Sequence, residues 1–84
     1  MIERQAPIVN PLGLHARPAA QIVRLASTFA SDIQIGKDGM AVNAKSIMGV
    51  MMLAAECGSA VDISAEGPDA EQAVEALAAL IAQG

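Results

Sequence analysis

Residues 60 to 66, AVDISAE, alternate without a break, with Val61, Ile63 and Ala65 on one side and Asp62, Ser64 and Glu66 on the other. A period of two is the pleat of a β-strand, and the polar set means that one face of its sheet meets water. Asp32 to Gly36 repeats the pattern through Ile33 and Ile35. Lys37-Asp38-Gly39 then supplies a turn and Met40 to Ala44 alternates again, which predicts a hairpin. Residues 2 to 9, IERQAPIV, predict a weaker strand, and because Pro7 cannot donate to a ladder that strand belongs at a sheet edge.

Three segments follow the helical period instead. Ala19, Ile22, Ala26 and Phe29 share one face and predict a helix over 16–29, preceded by the turn Asn10 to Gly13. Pro18 fits only in its first turn, where a missing N–H costs nothing. Ser46 opens the run IMGVMML, of helical composition but without a clear polar face, and Gly58-Ser59 breaks it. The last helix carries Ala70, Ala73, Val74, Leu77, Leu80 and Ile81 as one stripe after Gly67-Pro68-Asp69, with Asp69 and Gln72 spaced as a capping box. The order βαββαβα, with strands wet on one face, predicts an α+β fold in which helices cover one side of an open antiparallel sheet.

Composition changes the picture in a few places. An 84-residue chain is expected to form one small domain over 1–84, and a chain of this size buries only about 60% of its unfolded surface. Phe29 is the only aromatic residue and the net charge is −4, so neither base stacking nor phosphate-backbone binding is supported and no nucleic-acid partner is expected. One cysteine, Cys57, and one histidine, His15, cannot make a zinc site or an internal disulfide; no metal or cofactor is expected. Charged residues in MIERQAPIV exclude a signal-peptide pattern, and the longest apolar stretch, 47–55, is far short of a membrane span. A cytoplasmic location without membrane insertion is the default expectation.

The single histidine lies in GLHARPAA, residues 13–20. Its bland reading is a helix-start residue whose ring bonds locally. The sharper reading is an anion cradle: the first amides of the helix lack carbonyl partners, Arg17 follows two positions on, and Gly13, Ala16, Ala19 and Ala20 leave the ring approachable. Such a site suits a neutral imidazole nucleophile that accepts a phosphoryl group. The chain has neither a GxxxxGK[ST] loop nor a carboxylate cluster for Mg²⁺, so it is expected to relay a phosphoryl group rather than split ATP.

GLHARPAA, AKSIMGVMML and DISAEGPDAEQAVEAL together closely resemble the HPr family of the bacterial sugar phosphotransferase system, over essentially the whole chain. The resemblance implies an open-faced β-sandwich, with a four-stranded antiparallel sheet covered by three helices. It implies a phosphocarrier rather than an enzyme. His15 would take phosphate from enzyme I on the ring nitrogen nearer the backbone and pass it to enzyme IIA components, with Arg17 stabilising it. It also implies a regulatory phosphorylation at Ser46 in species that possess HPr kinase/phosphorylase, and a monomer.

Ile47, Met48 and Met51 cannot all be buried by so short a helix if Val50 and Leu53 face the sheet. Methionine suits surfaces that repack against several partners. The resemblance places these three beside Ala20, Val23, Arg24 and Ser27 in a docking patch, and Arg17 and Arg24 make a basic spot suited to acidic partner surfaces. Ser46 is also a favoured N-cap, and that role is compatible with modification. A phosphate there would set about two negative charges beside the patch. Gly49, Ala54 and Leu25 depart from many relatives, Leu25 at a position expected to be exposed, and Glu56 and Cys57 are read as incidental. The nearest alternatives are the nitrogen-branch NPr paralogue, which shares the histidine chemistry, and a purely regulatory Crh-like module.

Overall fold

The computed structural model describes residues 1–53 and 55–83. Its elements are β1 (Ile2–Pro7), α1 (Ala16–Ala26), β2 (Asp32–Lys37), β3 (Met40–Asn43), α2 (Ile47–Met52), β4 (Ala60–Glu66) and α3 (Ala70–Gln83). The strands form one antiparallel sheet in the order β1-β4-β2-β3. This is the open-faced α+β sandwich that the patterning and the resemblance imply.

Register explains why the sheet has one dry face. Ile63 pairs with Ile35 and Ala65 with Ile33, so four buried side chains line up across the two central strands. Asp32 and Glu66, paired at the end of the same ladder, stay exposed, as does Asp62. β1 occupies an edge, where the donorless Pro7 opposite Ala60 leaves no interior ladder broken. The β2–β3 hairpin turns on Asp38 and Gly39, whose φ values of 53° and 83° give the doubly left-handed turn that matches strand twist.

α3 lies over β1, β4 and β2, α2 meets β3, and α1 packs against both other helices. Their inward residues, among them Ile22, Val50, Val74 and Leu77, join the sheet side chains in a single apolar core. Arg4 on β1 and Glu75 on α3 form an ion pair across the rim, with both side chains about half exposed. Pairs of that kind contribute about 0–1 kcal/mol.

Several boundaries differ from the sequence pattern. β1 stops at Pro7, although the Ile8 amide still donates to the Ser59 carbonyl at 2.8 Å. α1 ends at Ala26 rather than Phe29, because Thr28 and Phe29 close tighter turns onto the Leu25 and Ala26 carbonyls. The Phe29 carbonyl instead accepts from the Lys45 ammonium at 2.9 Å, which ties the end of α1 to the start of α2. α2 ends at Met52, well before Gly58-Ser59, and the Ala55 carbonyl is engaged by the Leu14 amide. Ala54 lies outside the described residues. On α3 the small Ala78 is buried and Leu80 is only half-buried at its flank.

The capping box at Asp69 is not formed as expected. Its carboxylate turns away from its own helix and accepts from the amides of Ala30 and Ser31, both at 2.9 Å, and from the Ser31 hydroxyl. Ser31, buried and polar, returns the contact by accepting the Asp69 amide at 3.2 Å. The residue thus clamps the loop before β2 to the start of α3. Gly67 makes room for the clamp, since a Cβ there would collide with Ser31.

Candidate functional site

The loop that delivers the histidine is fixed at three points. The Asn10 side chain accepts the Leu12 amide at 3.1 Å and its carbonyl accepts the Gly13 amide at 2.9 Å, closing the turn expected at NPLG. Gly13 has φ of 69° and runs against the Ala55 carbonyl so closely that no Cβ fits. Leu14 then buries its side chain in the core and donates its amide to Ala55 at 2.9 Å. The next residue is set at the end of α1.

His15 is the N-cap of α1, with extended backbone (φ −80°, ψ −171°), and its carbonyl accepts the Ala19 amide at 2.9 Å. Its side chain makes no capping hydrogen bond and is partly exposed. The bland reading, a helix-start residue whose ring hydrogen-bonds locally, gains no support from a cap, since the ring makes no capping hydrogen bond. Helix geometry leaves the amides of Ala16 and Arg17 without intrahelical carbonyls, and Pro18 has no amide to satisfy. These amides and the positive end of the α1 dipole lie on the same turn as the ring. Arg17 is exposed, and among the described residues no carboxylate pairs with it or with Arg24.

The charge around the site carries a signal that the periodicity does not. All nine acidic residues lie outside 4–31 and 39–55, so α1, α2 and the loop before α1 hold none. An acidic chain thereby keeps Arg17 and Arg24 on a helix free of carboxylates, while Lys45 lines a hollow with Asp32 and Glu66 at the other end of α1 and Glu56 abuts Gly13, two residues before His15. The uneven spacing of Asp and Glu along the sequence is the feature that reveals it.

Ala16, Ala20, Val23, Arg24 and Ser27 form a single stripe on α1, next to the buried stripe of Ala19, Ile22 and Ala26. Ala20 and Val23 are half-buried, while Arg24 and Ser27 are exposed. On α2 only Val50 is buried, and Ile47, Met48 and Met51 are exposed, as the length of that helix requires. Met52 is exposed as well, a residue that the sequence pattern did not single out, and so is Leu12 in the loop before His15. Leu25 is half-buried rather than exposed. It lines a shallow hollow with Gln21, Arg24, Leu80 and Gln83, on the α3 side of α1.

Ser46 is the N-cap of α2, where its hydroxyl accepts the Gly49 amide at 3.1 Å. Asn43 holds the preceding residues, its side chain accepting the Lys45 amide at 2.8 Å and its carbonyl the Ser46 amide at 3.1 Å. Gly49 is small where the two segments meet: a Cβ there would lie 3.3 Å from the Ser46 hydroxyl and 3.4 Å from Val42.

No helix among the described residues is long and apolar enough to cross a membrane, and those residues contain no group of three side chains able to hold a metal ion.

Comparison with known proteins agrees with this geometry. The family model described as "PTS HPr component phosphorylation site" matches residues 2–83. The phosphocarrier protein HPr of Cupriavidus necator is 51% identical over 82 residues, 98% of this chain and 92% of that protein. The HPr-like protein Crh of Halalkalibacterium halodurans is 51% identical over 81 residues, 96% of each. The crystal structure of HPr-C-His from Thermoanaerobacter tengcongensis superposes with a TM-score of 0.92 at 53% identity, covering 96% of this chain and 91% of that one. The chain belongs to the HPr family of phosphocarrier proteins of the phosphotransferase system.

Proposed function

We propose that this chain carries a phosphoryl group on His15, taking it from enzyme I and delivering it to enzyme IIA components. The observation that carries the reading is the partly exposed, uncapped imidazole at the N-terminus of α1 with Arg17 in the first turn. The ring nitrogen nearer the backbone attacks phosphorus as the donor's bond to it breaks, and the reverse exchange releases the group to the acceptor. The Ala16 and Arg17 amides and the Arg17 guanidinium stabilise the dianion while it is bound. Ala20, Val23, Arg24, Ser27, Ile47, Met48 and Met51 form the surface on which enzyme I docks. The absence of carboxylates from α1 and α2 favours an acidic face on that partner.

Incubation with enzyme I and labelled phosphoenolpyruvate tests the proposal. Acid-labile label on the chain that disappears in a His15→Ala variant supports it. An unlabelled chain in the presence of active enzyme I overturns it and favours a regulatory role of the Crh type.

Ser46 adds a second proposed control. Phosphorylation of its hydroxyl by HPr kinase/phosphorylase would replace the Gly49 cap and place about two negative charges beside Ile47 and Met48. Transfer from enzyme I then slows while the fold persists. ATP-dependent, acid-stable labelling of Ser46 is the expected result, and a Ser46→Asp variant that transfers at the unmodified rate would count against this control.

A further inference from the structure

We propose that α2 is a methionine-oxidation site, at which conversion of Met48, Met51 and Met52 to sulfoxides reversibly weakens docking of phosphotransfer partners. The inference rests on the docking surface proposed above and adds a chemical control to it. Three of the six residues of α2 are methionines, with exposures of 74%, 42% and 63%. Only Val50 on that helix is buried, so the three thioethers stand where a peroxide reaches them without unfolding. Because Ile47 is exposed between them and Ser46, the helix presents a nearly continuous apolar surface whose softest atoms are all sulfur.

The step balances with a peroxide as oxidant. The sulfur lone pair attacks one peroxide oxygen, the O–O bond breaks, sulfur is oxidised by two electrons and water leaves. A methionine sulfoxide reductase with a dithiol reductant returns the thioether, the dithiol becoming a disulfide. Each sulfoxide turns an apolar, flexible side chain into a polar one. Docking would then require that the new S=O dipole lose its water, whereas folding is untouched because none of the three residues belongs to the core. Met1 and Met40, also exposed, lie on β1 and β3 flanks outside the proposed surface and serve as internal controls.

The experiment treats the whole chain with hydrogen peroxide, maps sulfoxides by peptide mass spectrometry and measures transfer from phosphorylated enzyme I. The expected result is a roughly tenfold fall in transfer that tracks oxidation of the 47–52 peptide, a scale equal to about 1.4 kcal/mol of lost affinity. Reductase and dithiothreitol restore the rate. A Met48→Leu/Met51→Leu/Met52→Leu variant, compared with its own untreated rate, keeps that rate through the treatment while Met1 and Met40 still oxidise. Full transfer by a chain whose α2 is oxidised, or an equal loss in the triple variant, overturns the proposal. A Met48→Gln variant separates the two levels. If it transfers poorly while the oxidised chain is unaffected, the oxidation proposal alone fails; if both transfer normally, the docking surface fails with it.

Discussion

Gly13 lies against Ala55 with no room for a side chain between them: a Cβ at residue 13 would collide with the Ala55 carbonyl oxygen, which accepts the amide of Leu14 at 2.9 Å. This contact helps join the loop before His15 to the chain just after α2. It therefore ties the end of α1 that holds His15 to the helix that carries Ser46 and the exposed methionines.

Substituting Gly13 by alanine should cost stability and function together. The φ of 69° alone penalises an L-residue by about 1–2 kcal/mol, and the collision with backbone adds to it. Urea unfolding of Gly13→Ala is expected to show a loss of about 2 kcal/mol or more, accompanied by slower phosphotransfer. Gly58→Ala is the matching control: its φ of 92° is also left-handed, but among the described residues nothing lies near the added methyl, so the conformational cost is the main penalty.

The alternation in β4 and β2 is legible because each of those strands has one wet face, and the period of Ala19, Ile22 and Ala26 reads α1 for the same reason. Ends of elements are less legible, since they depend on where orphan carbonyls find partners. Phe29 continues the α1 period but its carbonyl is taken by Lys45, sixteen residues away. Asp69 and Gln72 have the spacing of a capping box, yet Ser31 and Ala30, distant in sequence, offer the carboxylate three donors. The motif singles out His15 at the start of α1, but that its ring is left uncapped is not legible, because both uses fit the same local sequence.

The Asp69 clamp predicts a pH dependence of known sign. The Ser31 hydroxyl first, then the Ala30 and Ser31 amides, hold the carboxyl below its ordinary value of 3.8 in the folded chain. A folded-state pKa below the unfolded one stabilises the native state at pH above the unfolded value, and that contribution disappears as pH falls through the folded value. Urea midpoints should therefore decline in acid below about pH 3.8 in part through this group. An Asp69→Asn variant should be less stable than the parent at neutral pH, with the difference narrowing in that acid range. A gap that stays constant with pH would show that the clamp does not act through its charge.

Arg17 is the residue whose removal should separate chemistry from folding. It is exposed and bonded to no carboxylate among the described residues, so Arg17→Ala should leave the unfolding midpoint within about 0.5 kcal/mol of the parent. A charge-assisted hydrogen bond to the bound phosphate is worth about 1.5–3 kcal/mol, which corresponds to a fall of roughly ten- to a hundredfold in transfer from enzyme I. Arg17→Lys keeps the charge but not the fork of donors and is expected to recover only part of the rate. Rapid-quench measurement of label on His15 provides the comparison.

The exposure of Met48 on α2 makes a further prediction about the proposed docking surface. Met48 is 74% exposed, so a carboxylate placed there meets water in the free chain and should change stability by no more than about 0.5 kcal/mol. In a docked complex the same carboxylate would have to be desolvated against an apolar contact or face an acidic partner, and either outcome weakens binding. Met48→Glu is accordingly expected to raise the apparent KM for enzyme I roughly tenfold, equivalent to about 1.4 kcal/mol, with a much smaller change in kcat. Met40→Glu on β3, at 44% exposure and outside the proposed surface, should leave both constants near those of the parent. Equal effects at the two positions would mean that added negative charge, rather than the surface on α2, governs the encounter, and raising the salt concentration would then abolish the difference from the parent in both variants.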